Sequence, residues 1–163
     1  MKKFLKLSLF IVCIVLFENL SAQIMHPVKW DFSVKKVSSC EAELLLHAKI
    51  EDKWHLYGQE SSGGDGPIPT SFTFTKNSNY ELIGKISEKT LIKKFEAVWG
   101  AEISYFEHEA FFTQKIKMKS DKPFDVKGSL EFMVCNGTQC LAPETVDFSF
   151  KVSDGKPCPA FEK

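Results

Sequence analysis

The sequence contains no arginine. All 21 basic residues are lysines, and 21 Asp plus Glu balance them, so the 163-residue chain carries no formal net charge. Affinity for phosphate backbones comes from clustered Lys and Arg. A neutral chain without Arg argues against DNA, RNA and anionic membranes as partners. Beyond residue 22 no stretch approaches the roughly 18 consecutive apolar residues of a transmembrane helix. There is no internal repeat and no low-complexity tract. There is no Cys-x-x-Cys of thioredoxin type, no paired Cys-x-x-Cys zinc pattern, no Gly-rich phosphate loop and no Ser-nucleophile motif. Neither His nor Met follows Cys140 closely, as a blue-copper site would need. His26, His47, His55 and His108 show no metal-ligand spacing, and His47 and His55 read as polar-face or satisfied histidines. No metal and no cofactor is expected.

What is present is apolar enough to fold. Hydrophobic residues make up 44% of the chain and aromatic ones 13%, which argues against disorder and, at this length, for one domain. At the N-terminus, Lys2, Lys3 and Lys6 precede an apolar run from Leu7 to Phe17, and Leu20-Ser21-Ala22 ends in a small residue. This reads as a secretory signal peptide over residues 1–22, cleaved after Ala22. Cys13 suggests a lipoprotein, but Val12 stands where a small residue would be wanted. The expected mature chain, 23–163, is a single exported domain in a compartment where disulfides persist.

The body alternates with period two. Val28, Trp30, Phe32 and Val34 are separated by Lys29, Asp31 and Ser33, the pattern of a half-buried strand. The same alternation runs through Ala42 to Ile50, Ala110 to Met118 and Val146 to Val152. Shorter strands are expected around Phe72 and Phe74, from Tyr80 to Leu82 with Ile86 a further candidate, at Ile103 and Tyr105, and from Leu130 to Val134 after Gly128. Gly- and Pro-rich clusters at 61–67 and 121–123 mark loops. Only Ile86 to Val98 offers room for a helical turn. About eight regularly spaced strands imply an all-β sandwich.

Signal removal leaves Cys40, Cys135, Cys140 and Cys158. Four cysteines allow three pairings, and the sequence alone does not choose. Cys135 follows one strand and Cys140 precedes another, with the turn signal Asn136-Gly137 between them. Their thiols would face each other across a hairpin end, leaving Cys40 with Cys158 as a structural bridge. Loop entropy gives about 2 kcal/mol for the short loop and nearly 5 kcal/mol for the long one. The long bridge would be the main stabiliser, and a redox role for the short one would cost the fold less. Asn136-Gly137-Thr138 is also formally an N-glycosylation acceptor, although the turn reading is at least as good.

The run Cys135-Asn136-Gly137-Thr138-Gln139-Cys140-Leu141-Ala142-Pro143-Glu144-Thr145 resembles the redox hairpin of a known family, the N-terminal periplasmic domain of the transmembrane thiol–disulfide interchange protein DsbD. Asp52-Lys53-Trp54-His55-Leu56-Tyr57 is similar to that family's Asp-Gly-aromatic-aromatic-Leu-Tyr strand. Phe95-Glu96-Ala97-Val98-Trp99-Gly100 is similar to its cap loop, and Ala110 to Ile116 to the strand after the cap. The resemblance covers about residues 28 to 152. It implies an immunoglobulin-like β-sandwich. It implies a periplasmic exchange module that takes electrons from a membrane thiol–disulfide reductase and passes them to thioredoxin-like proteins. Cys140 would form the mixed disulfide, Cys135 would resolve it, and Glu96, Val98 and Trp99 would form the cap. Three features depart from the family. Ala97 stands where a second acid is common, Cys40 and Cys158 have no counterpart, and no transmembrane or thioredoxin-like part follows, so a stand-alone domain would need a separate electron source. The rival expectation is a non-enzymatic immunoglobulin-like binding or assembly domain with two inert disulfides, using loops such as Gly58 to Thr70.

Overall fold

The computed structural model describes residues 25–60, 66–89, 91–97 and 99–153. The expected signal peptide, Val98 and Cys158 lie outside them. Eleven strands and no helix form among the described residues. They are β1 (Val28–Lys36), β2 (Glu41–Ile50), β3 (His55–Tyr57), β4 (Ser71–Phe74), β5 (Tyr80–Lys89), β6 (Ile92–Glu96), β7 (Ala101–Phe106), β8 (Glu109–Met118), β9 (Phe124–Phe132), β10 (Val134–Cys135) and β11 (Glu144–Val152). All the pairings are antiparallel. The sheets run β1-β2-β8-β5, β11-β9-β4 and β10-β3-β7-β6.

The alternation in the sequence dictates one core. Leu44, Leu46 and Ala48 of β2 and Phe112, Ile116 and Met118 of β8 point inward from the first sheet. Val126, Leu130, Phe148 and Phe150 meet them from the second. Aromatic rings bridge the layers: Trp30 lies 5.6 Å from Phe132, and Phe32 lies 5.8 Å from Phe150, both edge-on. Such contacts add to the burial itself, which is the main favourable term. The arrangement is an immunoglobulin-like sandwich.

Eleven strands stand where about eight were expected, and three differences bear on the fold. No helical turn forms among the described residues of 86–98: β5 continues through Lys89 and β6 begins at Ile92. β5 carries a register shift between Ile83 and Ser87, and Gly84 there has a φ of 66°. The buried Gln114 amide fills the irregularity, donating to the Ile83 carbonyl at 3.1 Å. Such a bulge breaks period two and hides the strand.

The third difference is at Gly128, which lies inside β9 rather than before it. A Cβ there would sit 2.1 Å from the Thr73 carbonyl oxygen and 2.5 Å from Phe148 Cζ. Only glycine permits this approach of β4 and the Phe148 ring. Gly128→Ala is expected to lower stability by about 2–4 kcal/mol through overpacking, read as a fall in the urea midpoint of the oxidised protein at unchanged slope. A change below about 0.5 kcal/mol would show that the strands relax freely.

Candidate functional site

The third sheet has two faces of different character. Leu56, Phe106 and Val134 point into the main core. One residue along, Tyr57, Tyr105 and Cys135 point the other way and form a second cluster with Ile103. This follows from strand geometry, since successive side chains alternate between faces. β3 has only three residues, but it is well held. Buried Thr70 donates its hydroxyl to the Tyr57 carbonyl at 2.6 Å, and the Gly58 amide donates to the Ser104 carbonyl at 2.9 Å.

Cys135 and Cys140 are joined by a disulfide. The turn between them is organised by one side chain. Asn136 Oδ1 accepts from the Thr138 amide, the Gln139 amide and the Thr138 hydroxyl, each at 2.9 Å. The Asn136 amide donates to the Gln139 carbonyl at 2.8 Å, and the Leu141 amide to the Val134 carbonyl at 3.0 Å. Asn136 and Gly137 are not among the positive-φ residues, so this is an Asx-type turn rather than the two-residue type that Asn-Gly first suggests. The two sulfur-bearing residues are unequal. Cys135 is 4% exposed and sits in the second cluster, whereas Cys140 is exposed.

Opposite the turn, the β6–β7 hairpin ends in Ala97 to Gly100. Gly100 has a φ of 63°, and its amide and that of Trp99 both reach the Glu96 carbonyl. Trp99 is half-buried and packs against the cluster of Tyr57, Ile103, Tyr105 and Cys135. Glu96 is half-buried and pairs with Lys94 at 2.9 Å. These residues, His55 and the whole turn line a cleft of about 560 Å³. A groove of similar volume lies around Gly128, lined by Thr73, Asp125, Lys127 and Asp147. It holds no thiol and no histidine, so the sulfur-bearing cleft is the candidate site.

The electrostatics tie the hairpin to the cleft floor. Burial pushes the Tyr57 phenol above its ordinary range, the Glu96 charge raises it further, and a side-chain hydrogen bond with Trp99 opposes both. Burial also raises Tyr105, with the Glu107 charge next. Hydrogen bonding to Glu96 raises Lys94. Both phenols are therefore neutral at physiological pH. The disulfide thus faces two neutral phenols, an indole and the Lys94–Glu96 pair.

A family model described as "Thiol:disulfide interchange protein DsbD, N-terminal" matches residues 21–151. The chain belongs to this family. Its fold is shared with the N-terminal periplasmic domain of ScsB from Proteus mirabilis, at a TM-score of 0.55 and 19% identity over 86% of this chain. The chain spans 52% of that ScsB domain. The DsbD N-terminal domain of Neisseria meningitidis in its reduced form is also similar, at 16% identity, with 76% of this chain and 84% of that one covered and a TM-score of 0.48. No curated protein sequence matches.

Set against the DsbD pattern, the expected residues fall as follows. Cys135, Cys140, Glu96 and Trp99 are brought together around one cleft. Cys40 is disulfide-bonded and lies just before β2, outside the cleft, and its expected partner Cys158 is outside the described residues. Lys53, where the family has glycine, adopts a φ of 72°, a conformation that glycine takes without strain. Sequence reasoning placed Tyr105 in a strand but gave no site role to it, to His55 or to Tyr57. The signal for them is that β3 and β7 set alternate residues on the sulfur face.

Proposed function

We propose that this DsbD-family domain is a periplasmic thiol–disulfide exchange module. It accepts two electrons at Cys135 and Cys140 from a membrane thiol–disulfide reductase and passes them to thioredoxin-like proteins. The observation that carries this reading is the unequal sulfur pair: one exposed, one buried, at the edge of an open cleft beside a tryptophan-bearing hairpin.

The chemistry follows from that asymmetry. In the reduced protein, the Cys140 thiolate attacks the disulfide of an oxidised partner. A mixed disulfide forms, and the partner's other sulfur leaves as thiolate. The Cys135 thiolate then attacks Cys140 Sγ, closing the internal bond and releasing the partner's second thiol. Two electrons pass to the partner. Only a thiolate attacks, so the groups around the pair govern the rate. The Glu96 carboxylate disfavours a nearby thiolate by repulsion, and the apolar cover of Trp99 disfavours it by desolvation. Lys94, paired with Glu96, weakens the first effect, as does the presence of Ala97 in place of a second acid. Glu96, Val98 and Trp99 act as a cap that keeps the pair quiet until a partner displaces it. The family itself, the name of its founding protein and the periplasmic source of the ScsB domain support this reading.

The test is the reduction potential of the Cys135–Cys140 bond, measured by equilibration with glutathione buffers and gel-shift detection of free thiols. The expected value lies above about −300 mV, where exchange-active bonds fall; structural bonds lie below that. A potential below it would make the domain a binding or assembly module with two inert bridges.

A further inference from the structure

We propose that His55 is a positioning residue for exchange at this site, resting on the reading of the cleft as an exchange site. Its imidazolium stabilises the sulfur anion released on Cys135 when the bond to Cys140 opens, and this makes exchange pH-dependent.

The placement is explicit in the register. His55 of β3 lies directly opposite Cys135 of β10 in an antiparallel pair. Side chains of directly opposed residues share a face, with Cβ atoms about 4.5–5.5 Å apart. Both residues line the same cleft. The ring is held from two sides: Nε2 is 3.1 Å from Glu107 Oε1, and the imidazole centroid is 4.6 Å from that of Tyr105. A cation at this position therefore has a carboxylate partner and a fixed orientation. The other titratable groups on this face are farther along the sheet. Tyr57 is two residues on from His55, and Lys94 and Glu96 pair with each other on β6, beyond β7.

The chemical step puts charge where His55 sits. A donor thiolate attacks Cys140 Sγ. The donor–Cys140 bond forms, the Cys135–Cys140 bond breaks, and its electron pair goes to Cys135 Sγ. Negative charge moves from donor to Cys135 with no net proton transfer. The donor's second thiolate then closes the donor disulfide and releases Cys140. The donor is oxidised by two electrons and the pair is reduced. A leaving sulfur with lower basicity leaves faster, and an adjacent positive charge lowers that basicity. Imidazoles change charge between about pH 5 and 8, so the assistance is present on the acid side and lost on the alkaline side.

The experiment compares reduction of the oxidised wild-type protein and of His55→Gln by dithiothreitol from pH 5.5 to 8.5. The ratio of the two rates cancels the ionisation of dithiothreitol itself. The expected ratio is about fivefold in favour of wild type at the acid end and falls within twofold at the alkaline end. His55→Lys is expected to keep the fast rate across the range. A ratio that does not change with pH, or a His55→Lys rate that falls to the His55→Gln level at the acid end, would overturn the proposal. Should His55→Gln fail to fold by its urea midpoint, the His55→Lys profile decides alone. Failure of the underlying reading looks different: wild type itself would resist dithiothreitol at every pH while remaining folded.

Discussion

Cys135→Ser, reduced and mixed with an oxidised thioredoxin-like protein, is expected to accumulate a covalent conjugate through Cys140, while Cys140→Ser yields essentially none. The expected difference exceeds tenfold because access differs so strongly. A thiol exchanges in line with the bond it breaks, and the rate depends on which sulfur can be reached. Cys140 lies on the exposed side of the Asn136 turn. Cys135 is buried against Tyr57, Ile103 and Tyr105, so a partner sulfur reaches it only through that cluster. In Cys135→Ser the first attack proceeds and the second is impossible, so the mixed disulfide persists. Loss of the short bridge removes only about 2 kcal/mol of loop entropy, so both variants are expected to remain folded. Non-reducing electrophoresis and peptide mapping read the outcome. Conjugation through Cys135, or none with any thioredoxin-like partner, would refute the assignment.

The second large effect is expected at the hairpin tip. Trp99→Ala should speed reduction of the Cys135–Cys140 bond by dithiothreitol roughly tenfold, about 1.4 kcal/mol of lost shielding. Trp99 covers one side of the cluster that contains Tyr57 and Cys135. An alanine leaves that side open to solvent and to reagent. Trp99 is only half-buried and lies outside the main core. Its loss should therefore lower global stability by no more than about 1–2 kcal/mol, measured in parallel by urea unfolding. Faster reduction with a nearly unchanged urea midpoint separates uncapping from general loosening. An unchanged rate would leave Trp99 as an ordinary packing residue.

How much of this was legible in the sequence depends on burial. β1, β2, β8 and β11 each have one face in the core, so their residues alternate and their extents can be read to within a few positions. β6 could not be read in that way. It is an edge strand with most of its residues exposed, and Phe95 is 66% accessible, so no face of it is selected for hydrophobicity. β5 lost its period at the Gly84 bulge. Gly128 looked like punctuation because the reason for it, the crowding by Thr73 and Phe148, comes from strands distant in sequence. The site divides along the same line. The Cys135 to Cys140 turn is local and announces itself through Asn136. The surroundings of the pair come from β3 and β7, about 80 and 30 residues earlier, and only the register of the sheet brings His55 and Tyr105 to the sulfurs. The cap segment was legible through family resemblance rather than through its own pattern.

The double-sided sheet β10-β3-β7-β6 has a practical consequence. Redesigning the outward residues leaves the packing of Leu56, Phe106 and Val134 untouched. Heat resistance and the surroundings of the sulfur pair can thus be varied independently, which makes the domain a practical chassis for protein engineering.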